Sequence, residues 1–355
     1  MIIGSCGFGS TGSSAIIDFL LEYGEHKVQV LDDIEFTWVS GVDGLIDLEH
    51  HLMHPHNRTM DSIISIDRYI ERTMTSLREY KKYAGIPEEY FIKSTMEFIN
   101  SITKVKWKWY TETPRGGVKR LFDLYIMRNR VIPKIERRLG RRISCYPMKD
   151  VFLANNPSNF GEAAKKHVRE LLEAMGANFT KMIVMDQPFA GNNPQACFKY
   201  FDNPMAIVTD RDPRDNYIFS KTKLIGKTFA HLMPVDTVEE FVEYYRTIRD
   251  NQPYKEKNDR ILRLQFEEMV YDYDSATKKI RDFLHLPQNP NPKSIFDPAL
   301  SIANTQVFKR YTQYADDIAY IERELGEYLF DFEKYGEVKI TGEMFVGKSP
   351  KNRKK

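Results

Sequence analysis

The stretch that decides the fold is Met1–Leu31, MIIGSCGFGSTGSSAIIDFLLEYGEHKVQVL. Its first six residues form a short apolar run, which predicts a buried strand. A cluster of Gly, Ser and Thr follows, and then AIIDFLLEYG, whose apolar residues recur at helical spacing. A second apolar run, Lys27–Leu31, has the length of another strand. A strand, a loop, a helix and a strand in this order predict a right-handed crossover between two parallel strands.

The rest of the chain repeats this alternation. Apolar runs of strand length recur with helical patterns between them, at KMIVMDQ (181–187), PMAIVT (204–209) and RILRLQF (260–266). Strands that alternate with helices predict an α/β fold with a parallel sheet covered on both faces. From about residue 61 to 142 the pattern is mainly helical and strand signals are absent, which predicts a mainly helical insertion at about 61–160. We expect a single domain over 1–355, with that insertion and a basic tail at 348–355.

The composition excludes several classes of protein. Hydrophobic residues make up 42% of the chain and charged residues 29%, the balance of a folded globular protein rather than a disordered one. The chain has no run of roughly 18 apolar residues, as a membrane span needs, and no secretory signal pattern at its amino terminus. Its three cysteines lack the spacing of a disulfide framework or a zinc site. From these three observations we expect a cytoplasmic protein with no membrane span. The net charge of +2 is too small to indicate a nucleic-acid partner, and we expect none.

The glycine-rich loop Gly7–Ser14, GFGSTGSS, has the position of an anion-binding loop. It lies between a strand and a helix, where backbone N–H groups and the helix dipole favour a negative charge. Its glycines let the backbone approach a ligand closely, and its hydroxyl groups add hydrogen-bond donors. This arrangement predicts a phosphate or sulfate ligand. The candidate ligand-binding residues of the loop are Gly9, Ser10, Thr11, Gly12, Ser13 and Ser14.

The loop alone fits several kinds of ligand. Gly7, Gly9 and Gly12 match the dinucleotide fingerprint G-x-G-x-x-G, and Asp32 follows at about the distance of the ribose-binding acid. Gly7 and Gly12 also match a nucleotide phosphate loop, but Ser13 replaces its lysine, which argues against ATP or GTP hydrolysis. A loop of small and hydroxyl residues can also hold a phosphosulfate. A glycine-rich turn that binds nothing is the remaining alternative.

The second motif, RDPRDNYIFSKTK (211–223), directly follows the PMAIVT strand. Arg211 therefore lies at the carboxyl end of a parallel strand, where open sheets bind their ligands. Pro213 can open a helix, so the N–H groups from Asp215 onward would point to the same anion. Because contacts between arginine and phosphate are strong, we expect Arg211 to bind a phosphate. A surface cluster of salt bridges among residues 210–215 is the alternative interpretation.

With this motif the sequence resembles the sulfotransferases that use 3'-phosphoadenosine 5'-phosphosulfate (PAPS), in particular bacterial members that modify polysaccharides and other carbohydrates. The family's 3'-phosphate motif has an Arg, then a Pro, a basic residue and an Asp, and a Ser farther along. The residues that carry this likeness are Arg211, Pro213, Arg214, Asp215 and Ser220. Two later segments also resemble family members, RILRLQFEEMVYDYDSATKKIRDFLHL (260–286) and FDPALSIANTQVFKRY (296–311).

The resemblance implies a phosphate-loop-like parallel sheet flanked by helices, with PAPS as the sulfuryl donor and adenosine 3',5'-bisphosphate as the product. It implies no metal cofactor. It places the donor on the loop and on Arg211, Ser220 and Lys309. Two features depart from the family pattern: Ser10 or a neighbour replaces the usual loop lysine, and Ser220 follows Arg211 by nine positions, one more than in the cytosolic enzymes. The candidate substitutes for the lysine are Lys221, Lys223 and Lys309.

Transfer to a hydroxyl group needs a general base within hydrogen-bond reach of its proton. Glu35 is the first candidate, because residues after the second strand would lie over the mouth of the loop. Asp33 and His51 are the other candidates. His51 belongs to a group of histidines at positions 50, 51, 54 and 56, for which structural roles, solvation and a zinc site are alternatives.

Residues 93–142 form a strongly basic stretch, in which fourteen Lys and Arg face four Asp and Glu, with Trp and Tyr between them. Such a surface suits a carbohydrate acceptor such as a polysaccharide, including an anionic one, because rings stack on sugars and cations meet carboxylates or sulfates. Nucleic acid and solvated amphipathic helices are alternatives for this stretch. The overall prediction is a PAPS-dependent carbohydrate sulfotransferase. The alternatives are an NAD-dependent oxidoreductase and a nucleotide-binding module without catalysis.

Overall fold

The structure is a computed structural model, and it describes residues 1–31, 35–54, 60–84, 88–109, 130–141, 149–224, 233–250, 257–336, 340 and 342–344. The strands of the central sheet are β1 (Ile2–Cys6), β2 (Val28–Leu31), β5 (Met182–Asp186), β6 (Pro204–Asp210) and β7 (Ile261–Gln265). Their order in the sheet is β2–β5–β1–β6–β7, and every pair of neighbours is parallel. The predicted parallel sheet flanked by helices is therefore confirmed.

Helices cover both faces of this sheet. They are α1 (Ser14–Leu21), α2 (Leu45–Met53), α3 (Met60–Ala84), α4 (Glu88–Ile102), α5 (Phe160–Ala174), α6 (Pro213–Lys223), α7 (Val238–Asp250), α8 (Phe266–Tyr271), α9 (Tyr273–Leu284), α10 (Pro298–Ser301) and α11 (Ala315–Glu324). Across the described residues, none of the helices has both the length and the apolar character of a bilayer-crossing segment.

The two faces of the sheet bury two separate cores. Successive residues of a strand point to opposite faces, so Ile2 and Ile3 belong to different cores. Ile3 packs in the core that holds Phe19 of α1 and Ile280 of α9. Ile2 packs in the larger core, to which helices α2 to α5 contribute side chains such as Phe98. A third core joins α6, α7 and α11, beyond the carboxyl end of β6.

Strand β5 lies between β1 and β2, which the sequence did not predict. Leu31 of β2 pairs with Met185 of β5, and Met185 pairs in turn with Gly4 of β1. In dinucleotide-binding folds the second strand lies beside the first, so that its terminal acid reaches the ribose bound at the first loop. This geometry is absent here, and the dinucleotide interpretation of the glycine loop loses its support. Asp32 itself lies outside the described residues.

The predicted helical insertion contains α3, α4 and a helical segment at 130–139. It also contains a two-stranded antiparallel sheet, β3 (Val105–Trp109) and β4 (Lys149–Leu153), which the sequence analysis missed. The pattern VKWKW alternates Lys and Trp with the period of a strand. Because the surrounding stretch is strongly basic, it was interpreted by its charge and not by this alternation. The limits of the insertion stay a prediction. The basic tail 348–355 lies outside the described residues.

Candidate functional site

The carboxyl ends of the parallel strands meet at one edge of the sheet, and the chain segments that leave this edge form the candidate site. The glycine loop follows β1, Gln187 follows β5, Arg211 follows β6 and Phe266 follows β7. The register places these segments side by side, because Cys6 pairs with Val208, and Val208 pairs with Arg263. The site is thus built around the middle of the sheet, at the position where open α/β sheets bind ligands.

The glycine loop turns through the left-handed region of backbone conformation. Its φ angles are +82° at Gly9, +54° at Ser10 and +88° at Gly12. At Gly12 a Cβ atom would lie 2.6 Å from Cδ2 of Phe266, so this position allows no side chain on either conformational or steric grounds. Ser10 adopts the same region with a side chain, which is a strained conformation for a residue other than glycine.

Side chains from outside and inside the loop hold its backbone. The Gly7 N–H donates to Oε1 of Gln187 over 3.0 Å, and Nε2 of Gln187 donates to Oγ of Ser13 over 3.2 Å. The Phe8 N–H donates to Oγ1 of Thr11 over 3.1 Å. Sequence reasoning predicted the loop hydroxyls as ligand donors and missed Gln187 altogether. In this structure Thr11 and Ser13 stabilise the loop itself, and Ser14 is exposed at the start of α1.

Arg211 contacts the glycine loop directly. Its side chain is buried, its Nη1 donates to the main-chain oxygen of Ser10 over 3.1 Å, and its Nη2 donates to the main-chain oxygen of Asn304. Its Nε is buried and has no hydrogen-bond partner among the described residues. Asn216, one turn into α6, donates from Nδ2 to the main-chain oxygen of Gly9 over 3.2 Å. The two motifs of the sequence therefore form one site.

Helix α6 begins at Pro213, and Asp212 caps it by accepting the Arg214 N–H over 2.9 Å. Asp212 also accepts from the Arg214 guanidinium and from the Phe330 N–H. The sequence predicted free N–H groups from Asp215 onward near the bound anion. The helix opens at Pro213, as the sequence predicted, but the carboxylate of Asp212 already occupies its amino end.

Three carboxyl groups are fully buried behind Arg211: Asp212, Asp215 and Glu267. Glu267 accepts the Asp212 N–H through Oε1 over 3.1 Å, and Asp215 accepts the Phe308 N–H through Oδ1 over 3.2 Å. Burial raises the pKa of Asp215 to about 7 and the pKa of Glu267 well above its usual value. Protonation of Glu267, and of part of the Asp215 population near neutral pH, limits the negative charge near Arg211.

The other predicted donor-binding residues lie around α6. Ser220 is buried, with its Oγ 3.5 Å from Sδ of Met233. Lys309 is exposed on the short helical turn Val307–Arg310, next to Phe308, whose N–H binds Asp215. The late segment thus returns to the Arg211 motif, as the resemblance implies.

The two lysines of α6 differ in their surroundings. Lys221 donates to the Tyr217 hydroxyl over 2.6 Å and lies 3.7 Å from a carboxylate oxygen of Asp317. Its charge is therefore already partly balanced within the protein. Lys223 is the last residue of α6 and is half-buried. Lys309 remains the exposed candidate for the cation that replaces the loop lysine.

The candidate general bases follow or flank β2. Glu35 is exposed and follows β2 at the edge that carries the glycine loop, and Asp33 lies outside the described residues. Two strand spacings, about 10 Å, separate β2 from β1. The Ser40 hydroxyl donates to the main-chain oxygen of Pro188, so the segment after Glu35 passes over the end of β5 beside Gln187.

The predicted histidine group lies on α2 and just beyond it. His51 is half-buried on α2, and its ring centroid lies 5.6 Å from that of His50. The rings of His50 and His54 lie closer, at 4.4 Å, and His56 falls outside the described residues. In the part of the chain that the structure describes, no group of His, Cys, Asp or Glu has the arrangement of a metal site.

The basic stretch of the sequence is exposed where the structure describes it. Lys106 and Lys108 of β3 lie 3.2 and 2.8 Å from the carboxylate of Asp150, and Trp107 between them is 36% exposed. The helical segment 130–139 presents its charged residues to solvent, together with three apolar side chains, Val131, Ile135 and Leu139. Residues 110–129 and residue 142 of this stretch lie outside the described residues.

Part of the chain is similar to a known protein family. The profile of the sulfotransferase family matches residues 136–290, which include the Arg211 motif and the 260–286 segment. Among curated proteins, none matches this chain.

Solved structures that resemble the chain are distant. One is the sulfotransferase STF9 from Mycobacterium avium, with 15% identity, coverage of 95% of this chain and 78% of that chain, and a TM-score of 0.37. The sulfotransferase domain of the curacin biosynthetic pathway has 12% identity, coverage of 82% and 75%, and a TM-score of 0.32. Retinol dehydratase has 13% identity, coverage of 94% and 71%, and a TM-score of 0.28. The likeness of this chain to the sulfotransferases rests on the profile match over residues 136–290 rather than on these structures.

Proposed function

Because the profile of the sulfotransferase family matches residues 136–290, we propose that the chain transfers a sulfuryl group from PAPS to a hydroxyl group of a carbohydrate acceptor. The binding of PAPS is supported by one observation, the contact between the glycine loop and the Arg211 motif. Arg211 and Asn216 bind the main-chain oxygens of Ser10 and Gly9, so one nucleotide can reach both the loop and the arginine. A site divided between opposite ends of the molecule would not support it.

In the proposed complex the glycine loop holds the 5'-phosphosulfate, and Arg211 meets the 3'-phosphate. Arg211 donates to two neutral carbonyl oxygens in the free protein. A phosphate oxygen is a stronger partner for a guanidinium than a carbonyl oxygen, so the 3'-phosphate would replace one of them or take the unpartnered Nε. Ser220 and Lys309 are proposed as further contacts on the same side of the donor.

Sulfuryl transfer needs the sulfur to pass in line between two oxygens, as in phosphoryl transfer. The bond from sulfur to the donor's phosphate oxygen breaks, and a bond from sulfur to the acceptor oxygen forms. Glu35 is proposed to take the proton of the acceptor hydroxyl, with Asp33 and His51 as alternatives. The leaving phosphate oxygen gains charge, which N–H groups of the loop and a nearby cation would stabilise.

The carbohydrate acceptor is supported by the basic surface of the insertion. Lys106 and Lys108 lie on one face of strand β3 and Trp107 lies on the other, so this strand presents cations on one face and an aromatic ring on the opposite face. The helical segment 130–139 adds a second group of exposed cations. Exposed cations and an exposed aromatic ring on this insertion suit an acidic sugar chain, which offers both carboxylates and apolar ring faces.

Two measurements test the proposal. Calorimetry should detect binding of adenosine 3',5'-bisphosphate and no binding of NAD, and binding of NAD alone would overturn it in favour of an oxidoreductase. Incubation with sulfur-labelled PAPS and a panel of neutral and acidic glycans should then label a glycan. Binding of the bisphosphate without labelling of any acceptor would favour a nucleotide-binding module without catalysis.

A further inference from the structure

Arg249 is a buried cation near the end of α7 that forms an ion pair beside the candidate site. Its Nε donates to Oδ2 of Asp210 over 2.8 Å, and its Nη2 donates to Oδ1 of the same carboxylate over 2.5 Å. Asp210 is the last residue of β6 and directly precedes Arg211. Because a buried ion pair adds little net stability over apolar side chains of the same size, the position of this pair is more informative than its energy.

The ion pair holds the backbone of Arg211. Oδ1 of Asp210 also accepts the Arg211 N–H over 2.8 Å, so one carboxylate oxygen binds both Arg249 and the backbone of Arg211. The Tyr245 hydroxyl, one turn before Arg249 on α7, donates to the main-chain oxygen of Arg211 over 3.1 Å. The guanidinium carbon of Arg249 lies 3.3 Å from the centre of the Tyr245 ring. The N–H and the C=O of Arg211 are thus both bound by groups that Arg249 contacts.

The same guanidinium group contacts the glycine loop. Its carbon lies 4.4 Å from the centre of the Phe8 ring, within the range of a cation–π contact. The Phe8 N–H donates to Oγ1 of Thr11, so the ring belongs to a residue whose backbone is held inside the loop. One buried cation therefore contacts the loop through an aromatic ring and the backbone of Arg211 through the carboxylate of Asp210.

We propose that Arg249 is a positioning residue that fixes the separation between the glycine loop and Arg211. This inference rests on the proposed function, in which the loop holds the 5' end of the donor and Arg211 binds the 3'-phosphate. A ligand that is held at both ends gains the full strength of both contacts only if their separation is fixed before it binds. Arg249 acts through Phe8 and Asp210 rather than through a contact of its own with the donor.

The test compares two nucleotides by calorimetry with the full chain: adenosine 3',5'-bisphosphate and adenosine 5'-monophosphate, which lacks the 3'-phosphate. The ratio of the two affinities measures the contribution of the 3'-phosphate. Arg249→Lys keeps the charge without the bidentate bond and should lower this ratio about tenfold, the scale of one weakened charged hydrogen bond. A loss of stability alone lowers both apparent affinities by the same factor and leaves the ratio unchanged.

Two further variants complete the test. Phe8→Leu removes the ring beside the guanidinium group and keeps the ion pair with Asp210, so it should fold even if Arg249→Lys does not, and it should lower the same ratio. Arg246→Lys is the matched control. Arg246 lies one turn earlier on α7, is half-buried and binds Glu324 of α11, so its substitution should lower the Tm and leave the ratio unchanged.

The outcomes separate this inference from the proposed function. If the unchanged protein prefers the bisphosphate, and Arg249→Lys and Phe8→Leu keep that preference in full, Arg249 has a structural role only and the inference is overturned. An equal fall of the ratio in Arg246→Lys would overturn it as well, because the effect would then be common to α7. If the unchanged protein binds neither nucleotide, or binds both equally, the proposed donor site fails and the inference fails with it.

Discussion

Arg211 donates a hydrogen bond from its guanidinium group to the main-chain oxygen of Ser10 over 3.1 Å, although 201 positions separate the two residues in the sequence. Its other terminal nitrogen donates to the main-chain oxygen of Asn304. One buried side chain thus joins the glycine loop to the late segment of the chain. Under the proposed function the same side chain also meets the donor, so its loss should affect stability and donor affinity together.

Arg211→Ala should weaken binding of adenosine 3',5'-bisphosphate by about 10- to 150-fold, which corresponds to a lost charged hydrogen bond of about 1.5–3 kcal/mol. Calorimetry measures this affinity, and thermal unfolding should report a lower Tm because two carbonyl groups lose their donor. Arg211→Lys keeps the charge without the planar fork and should recover only part of the affinity. Arg169→Ala, at an exposed arginine, is the control. Normal binding by Arg211→Ala would rule out its assignment to the 3'-phosphate.

Gly12→Ala should destabilise the protein more than Gly176→Ala. Both glycines have positive φ angles, +88° and +85°, so both substitutions incur a backbone cost of about 1–2 kcal/mol. Only at Gly12 does the added Cβ atom meet a neighbour, the Phe266 ring at 2.6 Å, and such overpacking costs about 1–3 kcal/mol more. Urea unfolding measures the difference between the two. Equal losses of stability would show that Phe266 does not restrict this position.

Gln187→Leu should lower kcat by about tenfold, because the Gly7 N–H loses its partner and the loop loses its link to Ser13. Gln29→Leu is a matched control, since Gln29 also makes two hydrogen bonds, to the Gly176 oxygen and the Asn178 N–H. Steady-state kinetics and Tm are measured for both variants. If both substitutions lower the Tm but only Gln187→Leu lowers kcat, then Gln187 positions the glycine loop for catalysis. Equal kcat values would leave Gln187 with a structural role only.

Much of the fold could be predicted from the sequence because its signals are local. The apolar runs at β1, β5, β6 and β7 each lie within a few residues of a turn, and their order along the chain predicted a parallel sheet. The order of strands within the sheet has no such local signal. Whether β5 or β2 lies beside β1 depends on packing between segments far apart in the sequence.

The candidate site was predictable to a similar extent. The motifs indicated that the glycine loop and Arg211 bind anions, and their position at one edge of the sheet follows from the parallel strands. The partners of Arg211 could not be predicted, because Ser10 and Asn304 bind through main-chain oxygens, which every residue has. Gln187 could not be predicted either, because a single glutamine after a strand does not form a recognisable sequence motif.

Glu35→Gln should reduce kcat by about 10²- to 10⁴-fold, the usual contribution of a general base, and leave the affinity for the bisphosphate nearly unchanged. Because Glu35 is exposed, the Tm of the Glu35→Gln variant should equal that of the unchanged protein. Glu25→Gln removes the same charge at another exposed glutamate and is the control. Asp33→Asn and His51→Gln are measured beside it. If Glu35→Gln retains full turnover while one of these two does not, the role of the base passes to that residue.

Asp215 should contribute a loss of stability as the pH rises from about 4 to about 7, and Asp215→Asn should remove this contribution. Burial raises the pKa of Asp215 from 3.8 to about 7, so between these values the folded chain holds a proton that the unfolded chain has lost. The stabilisation is therefore complete below the unfolded pKa and is lost as the pH rises through the folded pKa. The pKa of Glu267 is raised as well, so the variant should keep a residual dependence of its stability on pH.

Asparagine keeps Oδ1 as the acceptor for the Phe308 N–H, so the Asp215→Asn variant should fold. Urea unfolding at a series of pH values measures the slope, with the exposed Asp259→Asn as the control. An unchanged slope in Asp215→Asn would mean that Asp215 is charged in the folded protein.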